Sequence, residues 1–483
     1  MALRRAFFIS FGRAGGQFIL AFAANIILSR LLLPAEVGVF SVAVAVTTIL
    51  HALREFGISG YIIKERELTD DKIRTVFGVA LLFSWSVAAL IYFSRGAIAE
   101  FYSEPRVADI FALLSINFIM LPFGQPAFVL LRREQNYSRL TMIMLSSAFA
   151  GAGTSILFAV LGYGPIALAY GALASTGISV ALSLLSRPGH VLMLPSLKEW
   201  RSVCGFGGKS SLTTIIVQVG VQAPELLMGR FLGFTAVGLY SRGIGIAKLI
   251  ETFFVNAVSW VTGAEFGALH RSAQSLADLV LKTTNYTLVI CWPALIFLAL
   301  KSETIIWILY GETWLPAAPL VQALCLARGL QMIVSQAPSI YEGTGAINLR
   351  LRNEIILQIV SVGLLLIGVQ YGLIAVAWLR VPLGIIVVAV HLSVFRGYAD
   401  IGVRRMFFAI WRSIAVALGF AGALAGLIAL EPAGMEFSPL VLAGEAIVVT
   451  LIYFLLVAIF RHPIGAEMQA TTKSLLSALK ITP

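Results

Sequence analysis

Apolar runs of about 20 residues, each closed by a short polar or basic cluster, recur along the whole 483-residue chain. A helix of that length crosses the hydrocarbon core of a bilayer, and helices satisfy their own backbone hydrogen bonds there. Candidate spans fall near 7–29, 37–54, 76–97, 108–131, 140–161, 165–186, 210–231, 236–262, 280–300, 317–340, 353–370, 373–394, 407–430 and 438–460. The pattern predicts an all-α integral membrane protein of about fourteen transmembrane helices. The opening "MALRRAFFIS" begins like a signal peptide, but no small-residue cleavage site is followed by a soluble chain, so it reads as an uncleaved first span.

Two stretches repeat. "SRLLLPAEVGVFS" at 29–41 is matched by "GRFLGFTAVGLYS" at 229–241, and "YGPIALAY" at 163–170 by "YGLIAVAW" at 371–378. The first pair joins expected spans one to two and seven to eight. The second joins five to six and eleven to twelve. Similar offsets in the same order predict a duplicated six-span unit. Six is even, so both units enter the membrane in the same sense, as a parallel repeat with a site expected between the halves. The expected organisation is a first lobe at 1–186, a linker at 187–209 that lies partly along the inner surface, a second lobe at 210–396, and two extra spans with a tail at 397–483.

Composition agrees. The chain is 59% hydrophobic and 12% charged, with mean hydropathy +0.92. A soluble domain carries roughly 25% charged residues. The net charge of +11 could suggest nucleic acid, but its distribution points to loops instead. With the N-terminus inside, the expected outer segments hold only Arg30, Arg95, Arg106, Arg230 and Lys301 among 35 lysines and arginines. That is the positive-inside pattern, and it puts both termini in the cytoplasm with no nucleic-acid partner. Trp307, Tyr310 and Trp314 are expected in an outer aromatic belt, and Tyr137, Trp200 and Trp411 in an inner one. Cys204, Cys291 and Cys325 lack metal-ligand spacing.

Charges at membrane depth cost a few kcal/mol and need a reason. The candidates are Arg13, Arg242, Lys248, Arg328, Arg380 and Arg412, most of them in the second half. In the repeat, Arg242 aligns with Val42, Lys248 with Thr48 and Arg380 with Ala172. Arginines facing a hydrated cavity suit an anionic ligand, because guanidinium binds phosphate through two hydrogen bonds. The plain alternative is snorkelling, which suits Arg412 and, less well, Arg242. Arg328 and Arg380 start about 16 and 12 Å from the outer surface, where snorkelling is harder. Lys248 has a rival role as the ion-pair partner of Glu251, three residues on. Gln218, Gln222 and Glu225 share one face of span seven, beside Pro224, and Glu225 aligns with Asn25 in span one. Arg13 and Gln17 share a face of span one. These positions predict a cavity with Glu225 as a proton or cation site; hydrogen bonding between helices is the alternative.

Several apparent motifs carry little. "GGKSS" at 207–211 lacks the first glycine of a phosphate loop. "TDDK" at 69–72 lies in a basic loop. "NYS" at 136 and "NYT" at 285 fall on the inner side or its edge. The five histidines form no cluster, and no nucleophile–base arrangement is present. No catalytic residue, metal site or cofactor is expected.

The stretches "LSRLLLPAEVGVFSVAVAV", "EFGISGYIIKERELTDDKIRTVFG" and "GLYSRGIGIAKL" resemble the polysaccharide transport family of Wzx-type oligosaccharide flippases. That family shares a superfamily with the multidrug and toxin extruders and the peptidoglycan-lipid flippases. The resemblance implies a V-shaped pair of six-helix lobes plus two helices. It also implies transport, by alternating access, of an undecaprenyl-diphosphate-linked oligosaccharide across the bacterial inner membrane for exopolysaccharide, O-antigen or capsule. Its partners would be that lipid-linked oligosaccharide, membrane lipids and other polysaccharide-assembly proteins. Cavity arginines would hold the diphosphate: Arg13, Arg242, Lys248, Arg328 and Arg380 are the cations in question. One rival is a cation-coupled multidrug extruder of the same fold, which predicts a cavity dominated by carboxylates. Another is a membrane polysaccharide polymerase, which predicts a sizeable outer loop; the longest here, near 98–107 and 301–316, are short.

Overall fold

All regular elements among the described residues are helices. The computed structural model describes residues 2–55, 61–62, 65, 69–186, 194–255, 275–431 and 437–465, with side chains except at 2–15, 18, 202–213, 253 and 255. In chain order the principal helices are α1 (Ala2–Leu31), α2 (Pro34–Glu55), α3 (Asp70–Tyr102), α4 (Arg106–Arg133), α5 (Tyr137–Val160) and α6 (Ile166–Ser186). Then come α7 (Trp200–Phe231), α8 (Phe234–Ile250), α9 (Ala277–Leu300), α10 (Ser302–Tyr310), α11 (Ala318–Met332) and α12 (Ala337–Thr344). The last are α13 (Ile347–Tyr371), α14 (Leu373–Trp378), α15 (Arg380–Ala399), α16 (Val403–Ala429) and α17 (Pro439–Ile459).

Among the described residues, eleven helical segments are long and apolar enough to cross a membrane. The other expected spans are the first, seventh and eighth, which correspond to α1, α7 and α8. Span seven starts ten residues earlier than the sequence pattern suggests: α7 is helical from Trp200, through "GGKSS". The backbone amides of that motif are therefore committed to the helix. The chain divides into two compact units, Met1–Leu239 and Tyr240–Pro483. That division falls in α8, not in the linker, because α7 packs along α2 and α3 of the first unit.

In the first unit, α2, α3, α4 and α6 enclose a core that includes Val39, Val87, Ile91, Phe111, Phe118 and Ala169. α5 and α6 approach closely through small residues: a Cβ at Gly171 would lie 1.8 Å from Ser155 Oγ and 2.6 Å from the Gly151 carbonyl oxygen. Small residues substitute for hydrophobic drive when helices pack in lipid. "TDDK" begins α3: the Thr69 side chain accepts from the Lys72 N–H as an N-cap. The end of the linker is pinned to α3. Ser196 N–H donates to the Arg74 carbonyl, Arg74 Nε donates to the Leu194 carbonyl, and Gly78 leaves room for the Ser196 backbone.

The repeated segments meet each other in this unit. A Cβ at Gly38 would stand 1.8 Å from the Phe234 carbonyl oxygen, and one at Gly238 would stand 1.9 Å from the Pro34 carbonyl oxygen. Pro34 aligns with Phe234 and Gly38 with Gly238, so the two copies cross with local two-fold symmetry, each glycine against the other's helix start. The turns before them are built differently. In the first copy Glu36 accepts from the Leu33 N–H at 2.9 Å, half of a capping box, with Pro34 as first helical residue. In the second, Gly233 takes φ +82.

In the second unit α9 packs against α11 and α16, and α16 against α17. Two polar clusters tie α9, α16 and α17 together. At one end Lys301 pairs with Glu431 and, at 2.7 Å, with Glu445; their side chains are 4, 11 and 8% exposed. At the other end Ser413 on α16 donates to Asn285 on α9, and His462 Nε2 lies 3.0 Å from Asn285 Oδ1. His462 Nδ1 accepts from the Ile464 N–H, so Nε2 carries the proton. Asn285, the start of the second "NYT" match, is thus a buried hydrogen-bonding centre. Cys291 and Cys325 are buried free thiols, as the apolar runs around them suggest.

Candidate functional site: charges at interrupted helices

Two membrane-depth arginines of the second unit, Arg328 and Arg380, sit near places where helices break. Expected span ten is two helices, α11 and α12, separated at 333–336. Pro338 has no N–H for the Val334 carbonyl, and the chain tightens instead: Ile333 N–H bonds Leu330, and Ala337 N–H bonds Val334. The Gly329 carbonyl receives Trp292 Nε1 at 2.8 Å from α9. Expected span twelve is likewise interrupted, at Leu379 between α14 and α15. Here Pro382 leaves the Trp378 carbonyl without its helical donor. α8 passes at Glu251 into a π-helical turn, Glu251–Val255. Irregular backbone at membrane depth is tolerated where it lines a cavity or is buried in protein, and such breaks recur at functional sites.

Arg328 on α11 and Arg380 at the start of α15 lie beside two of these breaks. Arg328 Nη1 is 3.0 Å from Glu251 Oε2 and 3.3 Å from Gln331 Oε1. The pair is open: the Arg328 and Glu251 side chains are 24 and 39% exposed. Arg380 Nη1 donates to Ser361 Oγ of α13 at 3.2 Å. α11 and α15 pack together, with the Cβ position of Gly384 lying 3.1 Å from the Ala327 carbonyl oxygen. Arg242 is half-buried in α8, its guanidinium carbon 5.6 Å from the centre of the Trp314 ring. Lys248 is half-buried one turn before the π turn, and its carbonyl accepts from Thr252 Oγ1.

The first unit holds the other candidates. Gln218, Gln222 and Glu225 are half-buried along α7, with Pro224 inside the helix. Asn25 is half-buried in α1; its carbonyl accepts from Ser29 Oγ, and its Oδ1 is buried with no hydrogen-bond partner among the described residues. α1 packs along α5, while α7 packs along α2 and α3. The side chain of Arg13 lies outside the described residues.

Two sequence expectations change. Tyr310 and Trp314 do not face an aromatic belt: they are 4 and 1% exposed, inside the unit, and Arg242 packs on the latter. Glu251 reaches across to Arg328, a pairing that the Lys248 spacing did not suggest. Trp200 and Trp411 are exposed.

One cation that the sequence reading counts among inner-loop charges is instead buried at a helix end. Arg54, 6% exposed at the end of α2, donates to Gln125 Oε1 at 2.8 Å beside a cavity of about 240 Å³ that Arg132 and Glu55 also line. The C-terminal halves of α2, α4 and α6 converge there. Their dipoles present partial negative charge, so Arg54 complements helix ends and the cavity is a poor anion site. Among the described residues, no group of three or more His, Cys, Asp or Glu could hold a metal ion.

The chain is similar to the lipopolysaccharide biosynthesis protein WzxC of Escherichia coli, 21% identical over 351 residues that cover 71% of this chain and 70% of that protein. It is 24% identical to the succinoglycan biosynthesis transport protein ExoT of Rhizobium meliloti, over 65% of this chain and 64% of that one. Among solved structures it shares its fold with the lipid II flippase MurJ in an inward closed conformation. The TM-score there is 0.76 at 15% identity, covering 94% of this chain and 98% of that one. An inward-facing multidrug resistance MATE transporter of the MOP superfamily matches with TM-score 0.55 at 15% identity, over 84% of this chain and 94% of that one. A family model described as polysaccharide biosynthesis protein matches residues 27–319, and this multi-pass membrane protein belongs to that family.

Proposed function

We propose that the protein is a flippase of polysaccharide assembly. It carries an undecaprenyl-diphosphate-linked oligosaccharide from the cytoplasmic to the outer leaflet of the bacterial inner membrane by alternating access. The sugar crosses through a hydrated path while the lipid tail stays in the bilayer. The observation that carries this reading is the placement of Arg328 and Arg380 at interruptions of membrane-spanning helices, each held by polar partners that a diphosphate can replace. Arg242 and Lys248 add positive charge in the same unit, and Arg13 is the further candidate cation from the sequence. Glu225, with Gln218, Gln222 and Asn25, offers carboxylate and amide oxygens to a coupling proton or cation. Both termini face the cytoplasm. The family membership and the printed roles of WzxC, ExoT and MurJ support the same substrate class.

Direction has a physical source. Moving about two negative charges outward across an inside-negative membrane gains roughly 4–5 kcal/mol per 100 mV. Depletion of the protein in its host tests the function. Lipid-linked oligosaccharide is expected to accumulate on the inner leaflet and surface polysaccharide to fall. Unchanged polysaccharide together with raised drug sensitivity would favour an extruder instead.

A further inference from the structure

The second unit contains two kinds of ion pair, and their difference suggests separate jobs. Lys301 with Glu431 and Glu445 is sealed, with no side chain more than 11% exposed, at the ends of α9, α16 and α17. Such a cluster fixes helices, because removing one member strands a buried charge. Arg328 with Glu251 is open, at 24 and 39% exposure, with Nη1 and Oε2 3.0 Å apart. It joins a π turn to the last turns of a helix that ends four residues later, at Met332. A guanidinium can grip an anion through two nitrogens.

We propose that Glu251 is a built-in competitor for the anion site at Arg328: its carboxylate occupies the guanidinium when substrate is absent, yields it to the diphosphate, and reclaims it to expel the diphosphate after transport. This rests on the flippase reading above, which supplies the diphosphate. The physical logic is exchange. A lone arginine at membrane depth would hold a dianion too firmly to release it, and would stand as an uncompensated charge once emptied. A tethered carboxylate is present at high local concentration and lowers both costs. Glu251 can serve in this way because the π turn at the end of α8 is an irregular segment, able to shift without disturbing a continuous helical ladder. Gln331, one turn from Arg328, keeps a second hydrogen bond on the guanidinium in either state. Lys248, one turn before Glu251, is the nearest cation along α8 for the carboxylate when it leaves Arg328.

The test uses the full chain in lipid nanodiscs, titrated with farnesyl diphosphate as a short isoprenyl diphosphate, with calorimetry as the readout and a melting curve for each form. Glu251→Gln removes the competitor, and its affinity is expected to rise about tenfold over wild type, the equivalent of losing one modest ion pair. Glu251→Asp keeps a shorter competitor and is expected to fall between the two. The gain should vanish when Glu251→Gln is combined with Arg328→Gln. Reconstituted Glu251→Gln should turn over more slowly than wild type despite binding more tightly. Equal or weaker binding by Glu251→Gln, in a form that melts like wild type, overturns the competitor role while leaving the flippase reading standing. If wild type itself does not bind the diphosphate, the reading of Arg328 as its ligand fails, and the competitor role with it. If Glu251→Gln does not fold, binding by Glu251→Asp no tighter than wild type overturns the proposal in its place.

Discussion

The two copies of each repeated segment share one glycine at a close contact or turn, and differ in charge at the residues just beyond. Gly38 and Gly238 let the first pair cross at backbone contact, and Gly164 and Gly372 both hold left-handed turns, at φ +56 and +96, in the second pair. What is shared is therefore steric. What is not shared is electrostatic: Val42 is fully buried where the second copy has Arg242, and half-buried Ala172 stands in unbroken α6 where the second copy has Arg380 at the break between α14 and α15. The shared residues serve the backbone, and the residues that differ carry the charge the proposed function uses.

Breaking the shared part should have the largest effect. Gly238→Ala forces a methyl group against the Pro34 backbone, which cannot swing aside, so loss of most folded protein is expected, at about 3 kcal/mol or more. Gly38→Ala should match it, and expression with size-exclusion profiles will read both. A mild effect in one alone would show that the crossing is not symmetric.

Exchanging the charged positions sharpens the other half of the comparison. Arg380→Ala and Arg328→Ala should each lower export at least about 100-fold, from lost charge-assisted hydrogen bonds of roughly 1.5–3 kcal/mol or more, while membrane insertion and melting stay near wild type. Ala172→Arg, the reciprocal change, should restore nothing in the Arg380→Ala background and cost stability of about 2–3 kcal/mol. Surface polysaccharide and thermal melting separate these outcomes.

Smaller effects test the turns. Gly372→Ala places a side chain at φ +96, and a loss of about 1–2 kcal/mol is expected, with Gly164→Ala similar. Smallest is Glu104, in the turn between α3 and α4. The Arg106 guanidinium, hydrogen-bonded to it, holds its carboxyl below the usual glutamate range. A depressed carboxyl stabilises the fold above the unfolded-state value, and that contribution is lost as pH falls through the folded one. Glu104→Gln should therefore flatten the acid side of a melting-versus-pH profile by a few tenths of a kcal/mol at most, since the pair is near the surface.

Much of this was legible in the residues. The period and length of the apolar runs placed nearly every helix, and the repeat marked the positions where two glycines turn out to touch. The interruptions were half-legible: Pro338 and Pro382 stood inside expected spans, but a proline in a long apolar run does not say whether the helix kinks or stops. The partner of Arg328 was not legible. Glu251 lies 77 positions away, and its nearest cation along the helix, Lys248, offered an ordinary i, i+3 pairing instead. The belt assignment of Tyr310 and Trp314 failed for a related reason, because position along a chain does not show which aromatic faces lipid and which covers an arginine.

The most direct measurement reconstitutes the protein in liposomes with a fluorescent, lipid-linked oligosaccharide diphosphate and follows its exposure to a membrane-impermeant reagent, for wild type, Arg328→Ala and Arg380→Ala. The account predicts rapid exposure with wild type and exposure near the protein-free rate with either variant, each folded. Equal exposure by all three forms, or none by wild type in liposomes where it moves a cationic dye, would contradict it.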